Sequence, residues 1–90
     1  MKRIVICILI LVWPLMAKAH SKDAMAYFNL GLESGRTYKK IEYLTKALEL
    51  NPGLAAAYEN RGMLYYFQEK YDMMIKDFQT YIELVPAKIE

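Results

Sequence analysis

Cysteine is nearly absent from this chain of 90 residues. Its one copy, Cys7, lies inside an N-terminal apolar run, so no disulfide framework can hold the fold together. Histidine is as scarce, with His20 alone. The acids are spread along the chain without a metal-ligand grouping, and Ser21, Ser34, Thr37, Thr45 and Thr80 have no base at a recognisable spacing. No catalytic constellation can be assembled, so the expectation is a protein without catalysis, cofactor or metal. One terminal site stays conceivable: cleavage after Ala19 would leave His20 as a new N-terminus, whose amine and imidazole can chelate copper. With no second histidine to complete it, the expected state of His20 is a solvated terminal residue.

Long apolar runs and blocks of charge are also missing. Ile4 to Ala17 is the longest uncharged stretch, 14 residues interrupted by Pro14, short of the roughly 20 that span a bilayer as a helix. Met1-Lys2-Arg3 precedes it and Ala17-Lys18-Ala19 follows, which gives residues 1–19 the pattern of a cleaved signal peptide. The alternative is an uncleaved N-terminal helix held with Lys2 and Arg3 on the cytoplasmic side. Lys2, Arg3 and Lys18 leave with the leader, so nine of twelve Lys+Arg remain against ten Asp+Glu. The basic balance of the whole chain is therefore a property of the leader. In the remainder, Arg36, Lys39, Lys40, Lys46, Arg61, Lys70 and Lys76 are interleaved with acids, which argues against a nucleic-acid surface, and none is expected.

What the chain does contain is a repeat. Pro52 and Pro86 are 34 residues apart, and Ile41, Leu44, Leu48 and Leu50 answer at that spacing to Ile75, Phe78, Ile82 and Leu84. Upstream, Tyr27, Asn29 and Gly31 answer to Tyr58, Asn60 and Gly62 at a spacing of 31, so the first copy is contracted by three residues between Gly31 and Gly35. Apolar residues recur at helical spacing, and no stretch alternates with period two long enough for a strand. Four helices are expected: from Ala24, with Ser21 as its cap, to the break at Ser34-Gly35-Arg36; about Tyr38 to Leu50; about Ala55 to Gln68; and about Tyr71 to Val85. Glu42 and Lys46 are spaced to pair. Gly53 is expected to supply a left-handed turn after Asn51-Pro52.

These residues resemble the tetratricopeptide repeat, a 34-residue helix–turn–helix unit. In the second copy Tyr58, Gly62, Tyr65, Tyr71, Ile75, Phe78 and Pro86 match its pattern, and in the first Tyr27 to Gly31, Gly35 and Ala47 to Pro52 do. The resemblance implies an all-α fold, two hairpins of a short right-handed solenoid, with repeats at about 24–54 and 55–88 inside a domain spanning 20–90. Lys40, Met74 and Tyr81 stand where the family has small alanines, and Arg61 where it has leucine, departures expected to loosen regular stacking.

Such repeats tend to hold extended peptides in a groove lined by the first helix of each hairpin. Carried over position by position, the resemblance implies a partner-binding groove of Met25, Phe28, Asn29, Leu32, Glu59, Asn60, Met63, Tyr66 and Phe67, with Met25 and Phe28 equally able to serve as core in so short an array. Phe28 and Leu32 occupy the places of the lysine and asparagine that grip acidic tails in some members, so that activity is not expected here. Only Ala87 to Glu90 follow Pro86, too few for a capping helix, and Met74, Phe78, Tyr81 and Ile82 are expected to form a self-association surface. The expectation is a non-catalytic interaction module or scaffold, exported to a bacterial periplasm, binding a protein or peptide and able to form a homo-oligomer. The alternative is a membrane-anchored structural subunit of an envelope complex at the inner membrane, contacting the membrane only through an uncleaved leader.

Overall fold

The computed structural model describes residues 21–85, and the expected leader and cleavage site, Cys7, His20 and the residues from Pro86 onward lie outside them. The described residues form four helices and no strand: α1 (Ser21–Glu33), α2 (Thr37–Leu50), α3 (Ala55–Phe67) and α4 (Tyr71–Leu84). Each boundary has a chemical cause. Asn51 precedes Pro52 and leaves the helical region at φ −141° and ψ 88°, as the proline ring demands of its predecessor. Three alanines, Ala55 to Ala57, then start α3 at little entropic cost. Val85, before Pro86, is extended at φ −100° and ψ 114° and ends α4.

The helices pair as two hairpins, α1 with α2 and α3 with α4, and the hairpins join through α2 and α3. At that joint Leu44, Leu48 and Ala57 form the buried cluster, with Phe28, Leu54, Tyr58 and Leu64 packed around it. Burying a leucine such as Leu44 contributes about 1.5–3 kcal/mol, which makes this joint the main source of cohesion between the repeats. Within each hairpin a glycine sets the spacing. A Cβ on Gly62 would fall 2.7 Å from the Phe78 ring, and one on Gly31 would fall 3.1 Å from Leu44. Neither site has room for a methyl group without a shift of its neighbour.

Three local expectations are corrected. Gly53 does not adopt a left-handed conformation; its N–H donates to the Asn51 side-chain oxygen at 3.1 Å, and that contact closes the turn. Among the described residues the one with positive φ is Glu69, at 61° between α3 and α4. Lys70 N–H donates to the Tyr65 carbonyl (2.9 Å) and Glu69 N–H to the Tyr66 carbonyl (3.0 Å), a Schellman closure that glycine usually occupies. Glu42 pairs with Lys39 at 3.0 Å, one turn toward the N-terminus, and not with Lys46. Lys46 instead lies over the Tyr27 ring, 5.6 Å from its centroid. Ser21 lies within α1 rather than ahead of it.

Candidate functional site

The three-residue contraction seen in the sequence has a structural expression. α1 ends two residues beyond Gly31, whereas α3 runs five beyond Gly62. Where a full-length copy would continue α1 for most of another turn, Lys40 of α2 reaches over and donates to the Leu32 carbonyl at 3.1 Å. An ammonium at a helix C-terminus is favourable both as a hydrogen-bond donor and against the helix dipole. Beside this foreshortened end lies a pit of about 190 Å³ lined by Gly31, Leu32, Lys40, Leu44, Asn60, Met63, Leu64 and Phe67. Leu44 is buried, while Met63 and Phe67 project from the rim, Phe67 being 70% exposed. Asn60 Nδ2 donates to the Ala56 carbonyl at 2.7 Å, which fixes the amide; its oxygen remains an acceptor.

The residues expected to line one groove therefore divide between places. Leu32, Asn60, Met63 and Phe67 meet around the pit. Met25 and Asn29 continue the exposed stripe of α1 that ends at Leu32, at spacings of four and three. Phe28 is drawn inward against the Leu44, Leu48 and Ala57 cluster. Glu59 and Tyr66 point along α3 toward α4 instead. The Tyr66 ring packs edge-on against Tyr71 (6.1 Å) and Phe67 (5.8 Å). The neighbouring Glu59 carboxylate raises the Tyr81 phenol pKa. Of the residues expected to self-associate, Met74, Phe78 and Tyr81 are half-buried within the hairpin, and Ile82 alone is broadly exposed, at 68%.

A polar cluster was missed from the sequence. Arg61 forms a bidentate pair with Asp77, Nε to Oδ2 at 2.8 Å and Nη2 to Oδ1 at 2.7 Å, and its third nitrogen donates to Thr45 Oγ1 at 3.2 Å. The guanidinium also lies 5.8 Å from the ring centroids of both Tyr58 and Tyr65. Asp77 is 4% exposed, and its hydrogen bonds hold the Arg61 pKa above the ordinary value. Tyr58 is pushed up from its ordinary 10.0 chiefly by burial, and its hydroxyl donates to the Pro52 carbonyl at 2.9 Å. The signal for the pair was present: an arginine among the inward residues of α3, and an aspartate between Met74 and Tyr81 on the apolar side of α4. Among the described residues no group of three or more His, Cys, Asp or Glu could hold a metal ion, and no helix is long and apolar enough to cross a membrane.

Helix-turn-helix units stacked through alternate helices define an all-α repeat protein. Residues 55–88 match the family model of the tetratricopeptide repeat. The second hairpin is thus similar to a tetratricopeptide repeat, and the first repeats its helix order and its glycine-mediated packing. Repeats of this family are typically protein-interaction domains. No curated protein matches the chain.

Proposed function

We propose that the chain is a non-catalytic interaction module that seats one apolar side chain of a peptide or helix in the pit between α1 and α3. The observation that carries this reading is the pit itself. Its volume of about 190 Å³ is below the ~300 Å³ at which small-molecule sites begin, and it is open to an exposed apolar stripe. That size suits a single anchoring side chain. Met63 and Phe67 supply adaptable contact at the rim, and the Asn60 oxygen can accept a backbone N–H from the bound segment. Export behind the leader of residues 1–19, into a periplasm, is part of the same proposal, and intact mass on the native protein decides it. Retention of Met1 to Ala19 would favour an anchored subunit.

The experiment is selection of peptides from a displayed library against the wild-type protein, followed by titration against Phe67→Ala and Met63→Glu. Both side chains are exposed, so both variants should keep the wild-type circular dichroism spectrum. Selected peptides should share an apolar or aromatic anchor and lose about tenfold or more in affinity to each variant, the scale of an interface hot spot. Peptides that bind both variants as tightly as wild type would overturn the assignment of the pit.

A further inference from the structure

The chain contains one worked example of how its hairpins join, and both halves of that joint recur on α1 and α4, uncovered by the described residues. In the internal joint, α3 lies on Leu44 and Leu48 of the first hairpin and leaves Leu48 only 6% exposed. At the 34-residue spacing these correspond to Phe78 and Ile82 of the second hairpin, where the described residues supply no covering helix and Ile82 is 68% exposed. The other half of the joint is the inward face of α3, with Ala57 and Tyr58 against the cluster. At the 31-residue spacing Ala57, Tyr58 and Arg61 correspond to Ala26, Tyr27 and Leu30 of α1. Among the described residues nothing covers that face of α1 either: Ala26, Tyr27 and Leu30 line a broad groove of about 670 Å³ between α1 and α2, and Leu30 is 44% exposed.

From this geometry we infer that the protein associates head to tail, with α1 of one copy lying on Phe78 and Ile82 of the next, as α3 lies on Leu44 and Leu48 within the chain. α1 and α4 each present the face that the other is built to receive, so continuing the internal joint covers both. Charge favours the same arrangement. Residues 21–50 carry five Lys and Arg against four Asp and Glu, and residues 55–85 carry three against five. A symmetric dimer through Ile82 would bring the two acidic hairpins together, whereas the head-to-tail contact sets a basic hairpin against an acidic one. A heterologous contact of this kind does not close on itself after two copies, so association continues with concentration. It uses surfaces separate from the pit, and Phe67→Ala should leave it unchanged.

The test is sedimentation velocity on the chain produced from its full-length coding sequence, with Ile82→Glu and Leu30→Glu as variants. Both positions are exposed, and circular dichroism verifies that each variant keeps the wild-type helical content. Wild type should form species larger than a dimer as concentration rises. Each variant alone should be monomeric, because each has lost one half of the joint. An equimolar mixture should give a dimer and stop there, since the variants retain complementary faces that can meet only once. A wild-type protein that stays monomeric at every accessible concentration would overturn the inference. So would a Leu30→Glu variant that still self-associates while Ile82→Glu does not, the signature of a symmetric contact.

Discussion

Arg61 and Asp77 show how a residue that breaks a repeat pattern can be accommodated by a second one far along the chain. The arginine spans three helices, taking Asp77 of α4 with two nitrogens and Thr45 of α2 with a third. Taking both charges out of water is costly, and the pair repays that cost only while both partners are present. The order of damage on mutation follows from depth. Arg61→Leu leaves the carboxylate of Asp77 buried without a partner and should destabilise by about 3 kcal/mol or more. Asp77→Ala should cost less, because the longer arginine can turn its head toward water. The double variant, Arg61→Leu with Asp77→Ala, should be more stable than Arg61→Leu alone. Thermal unfolding by circular dichroism gives the ranking, and a double variant weaker than both singles would show that the network contributes more than charge compensation.

Among the elements, the turn between α3 and α4 holds a side chain in the conformation that glycine prefers. Glu69 at φ 61° closes a Schellman motif, and a left-handed backbone costs a non-glycine residue roughly 1–2 kcal/mol. Glu69→Gly should therefore raise stability, by up to about 1 kcal/mol after the added freedom of the unfolded chain is counted. A rise in midpoint in urea at constant slope would show it, and a fall would mean that the Glu69 side chain contributes contacts of its own. This turn also marks what could be read from the sequence. Helix order and type were legible, because proline and the apolar period act locally and twice over. The turn chemistry was not, since glycine at position 53 suggested a left-handed residue where none occurs and the true one is a glutamate. For Phe28 the sequence left core and groove open, because its inward turn depends on α2 and α3 closing over it.

At the scale of the molecule, the joint between α2 and α3 connects two hairpins that each have little core of their own. Repeat arrays gain stability from nearest-neighbour contacts, and the two described hairpins share one. Leu44→Ala would remove a fully buried side chain from the joint at a cost of about 2–5 kcal/mol, a large share of what a small domain has. Helical signal should then fall for both hairpins in one transition. Loss of only about half of it would show that they fold independently. The candidate site belongs to this scale too, since the sequence showed a three-residue contraction and its stripe of residues, but only the fold shows which of them converge and that Glu59 and Tyr66 turn toward α4. The foreshortened end of α1 has one more consequence. The pit is the negative image of a piece of helix, so its shape is defined by residues the chain omits as much as by those it keeps. Shape specificity of this origin can change by insertion or deletion at one point on the surface, with the hydrophobic joint beneath left intact.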